Sequence, residues 1–151
     1  MSLWRRLSPL PGGARLFAWF LARTVPYSGS FGPRVEALEP GHVRIGMRDR
    51  RRVRNHLRSI HAIALANLAE LASGLAVTTS LPDGVRGIVV RFRIDYFKKA
   101  RGRIVAESRW TLPDVSRPGD HDVVADVSDR DGNLLARATV TWRLGPSAAS
   151  R

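Results

Sequence analysis

The sequence predicts an α+β domain in which one long helix is wrapped by an antiparallel sheet. Three observations carry that expectation: one stretch of helical apolar spacing at residues 60–77, alternating apolar and polar segments on both sides of it, and turn signals between those segments. The chain has 151 residues, 44% of them hydrophobic, enough for one core and too few for two ordinary domains. The expected organisation is an N-terminal helical extension over 1–31, one domain over 32–145 and a polar tail over 146–151.

The extension begins with the basic, aromatic Trp4, Arg5 and Arg6 and continues through Leu16, Phe17, Ala18, Trp19, Phe20, Leu21 and Ala22. This run is shorter than the roughly 20 residues a membrane-spanning helix needs, and no small-residue cleavage site follows it. It reads as a helix lying over the domain and ending before Pro26. A sharper reading is an interfacial helix in peripheral contact with a membrane, because arginines flank its aromatic residues.

Next come the strands. Val43, Ile45 and Met47 alternate with His42, Arg44, Gly46 and Arg48, and Glu39, Pro40 and Gly41 supply a turn from a strand at 34–38. Ile88, Val90, Phe92, Ile94 and Tyr96 alternate with Val89, Arg91, Arg93, Asp95 and Phe97, the period of a strand that buries one face. Further strands are expected at 103–112, 122–128 and 134–144, the last two joined by a hairpin turn through Asp129–Asn133.

Between them lies the helix. At 100° per residue Ile60, Ala64, Leu65, Leu68, Leu71, Ala72 and Leu75 share one apolar arc, which is core. Ala62, Ala66, Ala69 and Ser73 form a small-residue surface that permits close approach of another element. Ile63, Asn67, Glu70 and Gly74 share the third side. Glu70 is the only acid between Asp49 and Asp83, and a carboxylate among leucine and alanine is costly unless it has a partner or a task. It is either a structural group, hydrogen-bonded at a subunit interface or solvated through a gap, or a functional acid. Asn67, one turn earlier, offers an amide to the same place, while Asn55 and His61 lie at the start of the helix, where unpaired N–H groups favour negative charge.

Composition restricts the chemistry. Without cysteine there is no disulfide framework, thiolate zinc site or cysteine nucleophile, which suits a reducing cytoplasm. With 25 basic and 13 acidic residues the formal charge is +12, a field that attracts nucleic acid, acidic lipid or a phosphorylated ligand.

The run Asn55, His56, Leu57, Arg58, Ser59, Ile60, His61, followed by Glu70, resembles the asparagine, histidine and helix-borne acid of hotdog-fold thioesterases, nearest to relatives of the phenylacetate-pathway acyl-CoA thioesterases. Asparagine six residues before the histidine and acid nine after it are the family's spacings. The segment Asp95–Gly102 and the closing turn at Asp131 and Gly132 extend the resemblance over residues 32–144. The resemblance implies a hotdog fold and a homodimer, alone or paired into a tetramer. It also implies a site divided between subunits that hydrolyses an acyl-CoA, with coenzyme A entering as part of the substrate and no separate cofactor or metal. In that pattern the Ala62 N–H stabilises the oxyanion, Asn55 positions the carbonyl or the water, and Glu70 of the partner subunit is general base or nucleophile. His61 orients the segment before the helix or transfers a proton, and Asn67 assists. Lys98, Lys99 and Arg101 meet the phosphates of coenzyme A, unless they are simply a solvated turn.

The departures favour a rival reading. Ala62 and Ile63 stand where the family has two glycines, Glu70 where it usually has aspartate, and Val89 where some relatives carry a hydroxyl. A noncatalytic acyl-CoA-binding protein is therefore the alternative. Nucleic-acid binding is a more remote one, because the arginines are scattered and no recognised motif accompanies them.

Overall fold

The computed structural model describes residues 25–147 throughout and, ahead of them, residues 6, 7, 10–13, 16, 19, 20 and 23. Six strands, β1 (Arg34–Glu39), β2 (His42–Met47), β3 (Val85–Tyr96), β4 (Ile104–Arg109), β5 (Gly119–Asp129) and β6 (Leu134–Pro146), form one sheet in the order β1-β2-β4-β5-β6-β3. Every neighbouring pair is antiparallel. The helix α1 (Ala62–Thr78) crosses one face of this sheet and touches all six strands.

The inner face explains how close the helix can come. Ala106, Ala125, Ala136 and Ala138 alternate there with Val43, Ile45, Ile104, Val123 and Val140, all fully buried or nearly so. Small residues on the sheet leave room for Leu65, Leu68 and Leu71 of the expected arc, and Ala69 and Ser73 of the small-residue surface are equally buried. Truncating Leu68 to alanine in such a core costs about 2–5 kcal/mol. The end of α1 is closed by hydroxyls: Thr78, Thr79 and Ser80 donate to the carbonyls of Gly74, Leu75 and Ala76 in its last turn, and the Leu75 carbonyl also takes the Thr79 N–H.

Two expectations need correction. β3 does not keep one alternation, because a bulge between Val89 and Arg91 inserts Val90 as an extra residue and reverses the parity. Val89, Phe92 and Ile94 pack on the core, whereas Ile88 and Val90 are 64% and 42% exposed. Ala62 is exposed and does not join the buried small-residue surface. Val25 is not helical (φ −127°, ψ 81°), in keeping with a helix that ends before Pro26, and a separate helical turn, Pro26–Gly29, follows it. Of the N-terminal extension, Leu16, Trp19 and Arg23 are helical and exposed, with the Arg23 guanidinium 5.2 Å from the Trp19 ring centre. Trp4, Arg5, Phe17, Ala18, Leu21 and Ala22 lie outside the described residues. Among the described residues no helix is long and apolar enough to cross a membrane.

Candidate active site at the start of the helix

The segment before α1 is tied down on both sides. The Ile60 N–H donates to the Ala100 carbonyl at 2.9 Å and the His61 N–H to the Val53 carbonyl at 2.8 Å. Asn55 organises the turn between them: its Oδ1 accepts from the N–H groups of Leu57 and Ser59 and from the Ser59 hydroxyl, at 2.9, 3.2 and 3.2 Å. With that oxygen engaged, the Asn55 amide NH2 is the group left for a ligand.

A pocket of about 340 Å³ opens here. Asn55, Leu57, Ser59 and Ala62 line it from the helix side, and Tyr96, Phe97, Lys98 and Lys99 from the end of β3. Sequence positions more than 30 apart therefore share one cavity. Arg101 is not among the lining residues; its charge acts on Asp49, whose carboxyl accepts from Arg54 at 2.6 Å and from the Gly102 N–H at 3.1 Å. The Arg54 hydrogen bond holds the Asp49 carboxyl below its ordinary range against the opposing effect of burial.

His61 is the N-cap of α1. Its Nδ1 accepts the Ile63 N–H at 3.1 Å, so the ring fixes the first turn and removes one of its free donors. The Ala62 N–H meets no acceptor among the described residues and borders the pocket. Its carbonyl accepts from the Tyr96 hydroxyl at 3.1 Å, which clamps the first residue of the helix to the end of β3. Tyr96, whose hydroxyl is pushed up by burial, was missed in the sequence reading. The available signal was an aromatic hydroxyl closing a strand directly before the basic segment.

Glu70 lies elsewhere. It is eight residues beyond Ala62, or about 12 Å along the axis. Its carboxyl is largely enclosed, finds no hydrogen-bond partner among the described residues, and is pushed above its ordinary value by burial alone. Gly74 sits beside it: the space a side chain would fill there lies 3.9 Å from Glu70 Oε1 and 3.4 Å from the ring of buried Trp142, a second residue the sequence reading did not single out. Asn67, one turn before Glu70, has its Oδ1 engaged by the Tyr27 hydroxyl at 3.2 Å. The expected residues thus fall into two groups within one chain, Asn55, Ala62, Lys98 and Lys99 at the pocket and Asn67 and Glu70 along the helix.

Residues 13–144 match the model of a family described as a domain of unknown function, DUF4442. No curated protein matches the chain. Among solved structures it is similar to the structural-genomics protein APC5556, with 31% identity over 87% of this chain and 88% of the other and a TM-score of 0.80. A Pseudomonas aeruginosa protein of unknown function, described as a probable thioesterase, is 25% identical over 91% and 97% of the two chains, with a TM-score of 0.76. A mutant of the phenylacetic acid degradation protein PaaI from Thermus thermophilus shares the fold, with a TM-score of 0.68 at 23% identity over 78% and 97%. The sheet order, the long helix packed on one face of the sheet and these likenesses together identify the fold as the hotdog fold.

Proposed function

The chain belongs to the DUF4442 family, and on that premise we propose that it binds an acyl-CoA at the interface of a homodimer and hydrolyses the thioester. The observation that carries this reading is the separation of donors from acid. A thioester carbonyl resting on the Ala62 N–H, with the Asn55 amide beside it, is about 12 Å along the axis from the same chain's Glu70, too far for that carboxylate to deliver a water. A second copy can supply the acid. β3 supports such pairing, because it ends the sheet and its outer edge meets no strand among the described residues; it exposes Ile88, Val90 and Tyr96, with exposed Phe97 directly after it.

In this reading the water loses its proton to Glu70 of the partner subunit as its oxygen bonds to the carbonyl carbon. The negative charge passes to the carbonyl oxygen against the Ala62 N–H. Collapse breaks the carbon–sulfur bond, and the thiolate of coenzyme A leaves and takes up a proton. Direct attack by the carboxylate, followed by hydrolysis of the resulting anhydride, uses the same geometry. Burial of Glu70 raises its basicity and suits either role. Asn67 assists at the Glu70 strip, and His61 acts by holding the first helical turn. Lys98 and Lys99 at the rim, with Arg101 beyond it, meet the phosphates of coenzyme A. Paired dimers, peripheral membrane contact through the N-terminal extension, and work in the cytoplasm belong to the same proposal.

The noncatalytic reading has one observation in its favour. The Ile63 N–H is consumed by His61, which leaves the Ala62 N–H as the backbone donor at the pocket. Nucleic-acid binding has less support, because Arg44, Arg103, Arg137 and Arg143 are already matched to carboxylates. Hydrolysis assays over short, long and aromatic acyl-CoAs decide between catalysis and binding. Turnover of at least one class is expected; binding without turnover would select the noncatalytic reading. A well-folded monomer at micromolar concentration would remove the divided site.

A further inference from the structure

Arg58 is the one non-glycine residue among those described with a left-handed backbone, at φ 55°. The turn that holds it there is fixed by Asn55, whose carbonyl accepts the Arg58 N–H at 3.2 Å while its side chain takes the N–H groups on either side, at Leu57 and Ser59. A residue with a Cβ is disfavoured in this conformation, whereas glycine adopts it freely. The side chain is exposed, and no hydrogen bond or ion pair engages its guanidinium among the described residues. The residues outside the description include no Asp or Glu that could do so.

Position gives this unmatched charge a use. Leu57 and Ser59, directly before and after Arg58, line the pocket, and Lys98 and Lys99 line it from the β3 side. Arg58 does not itself line the cavity, but it stands between two residues that do, facing solvent, at a backbone position that penalises a side chain, while two further cations line the β3 side.

We propose that Arg58 is an anion-binding residue at the mouth of this pocket, its guanidinium taking a phosphoryl group opposite Lys98 and Lys99. Its planar fork offers paired N–H donors to two phosphate oxygens, while the lysines add point charges. The inference rests on the acyl-CoA reading, in which those phosphates belong to coenzyme A, and inorganic pyrophosphate presents the same chemistry without the thioester.

Calorimetric titration with coenzyme A and with pyrophosphate tests it on the wild-type protein, Arg58→Gly and Arg58→Lys. Arg58→Gly relieves the backbone, so its melting temperature should equal or exceed the wild type by up to roughly 2–4 °C, while both affinities fall about tenfold. Arg58→Lys should retain part of the binding. Wild-type affinity in Arg58→Gly, or a wild type that binds neither probe, overturns the proposal; so does a clear drop in its melting temperature, which would mark Arg58 as structural. Arg58-dependent binding in a protein that hydrolyses no thioester would end the hydrolase reading alone. Hydrolysis with an affinity indifferent to Arg58→Gly would end this one alone.

Discussion

On the outer face of the sheet, Arg137 meets Asp126 at 2.6 Å, Arg143 meets Asp120 at 2.7 Å, and Arg44 and Arg109 share Glu107. Around the start of the helix, Arg48, Arg50, Arg51, Arg52 and Arg58 meet no carboxylate among the described residues, and Asp49 is taken by Arg54. The same residue type thus serves two purposes. Across strands, arginine and aspartate cancel one another and make a solvated ladder of small energetic value. Around the start of the helix the positive charge is left unmatched, a local field that attracts an anionic ligand. Glu70 extends the contrast, since it is an acid held apart from all of these bases.

The largest effect should come from removing that isolated acid. Glu70→Gln keeps the size and loses the charge, and turnover should fall by at least about 10²-fold while the dimer persists. Wild-type turnover in a folded variant would cancel the assignment. The pH profile follows from the same burial. The base works ionised, so activity should rise with pH through a value above the ordinary glutamate range. Stability moves oppositely: a carboxyl whose folded pKa is raised favours the fold below its unfolded pKa, and that contribution is lost as pH rises through the folded value. Glu70→Gln should therefore be the more stable protein at neutral pH, a trade that denaturant titration checks.

The next effect sharpens the contrast between matched and unmatched charge. Replacing Lys98, Lys99 and Arg101 together by alanine should weaken coenzyme A binding by roughly tenfold or more and flatten its salt dependence. Arg137→Ala on the outer face should leave both unchanged. Equal losses in the two variants would mean that only net charge matters. Tyr96→Phe should act more gently, because it removes one hydrogen bond to the Ala62 carbonyl and keeps the ring. Turnover should drop about fivefold with little change in melting temperature. Unchanged turnover would leave Tyr96 as a packing residue.

Much of this architecture was legible in the residues because periodicity reports burial. Leu65, Leu68 and Leu71 lie in the core where the helical arc places them, and β2 buries Val43, Ile45 and Met47 as its alternation requires. β3 misled because a bulge at Val90 changes parity without leaving a trace in the apolar pattern, which runs unbroken from Ile88 to Ile94. At the site, the family resemblance pointed to Asn55, Ala62, Lys98 and Lys99, and these four residues line one pocket. Tyr96 and Trp142 were not legible, since their roles depend on which strand ends beside which turn of the helix. The turn built by Asn55 was half legible: asparagine favours such turns, but nothing in the letters shows that its oxygen is used three times over.

The smallest expected effect lies on the outer face, and it tests the claim that the ladder there is nearly neutral. Arg143 donates to both Asp120 oxygens, at 2.7 and 2.9 Å, and that hydrogen bond holds the carboxyl below its ordinary value. A lowered folded pKa contributes stability above the unfolded pKa and loses it as pH falls through the folded one. Both groups are solvated, so the contribution is weak. Arg143→Ala should lower the melting temperature by no more than about 2 °C at pH 7. The difference from wild type should fade once Asp120 is protonated in both. Calorimetric melting curves from pH 7 down to acid conditions read this directly. A large loss at neutral pH, or one that persists in acid, would show that Arg143 acts by packing, and the division between a cancelled outer face and an unmatched pocket would have to be redrawn.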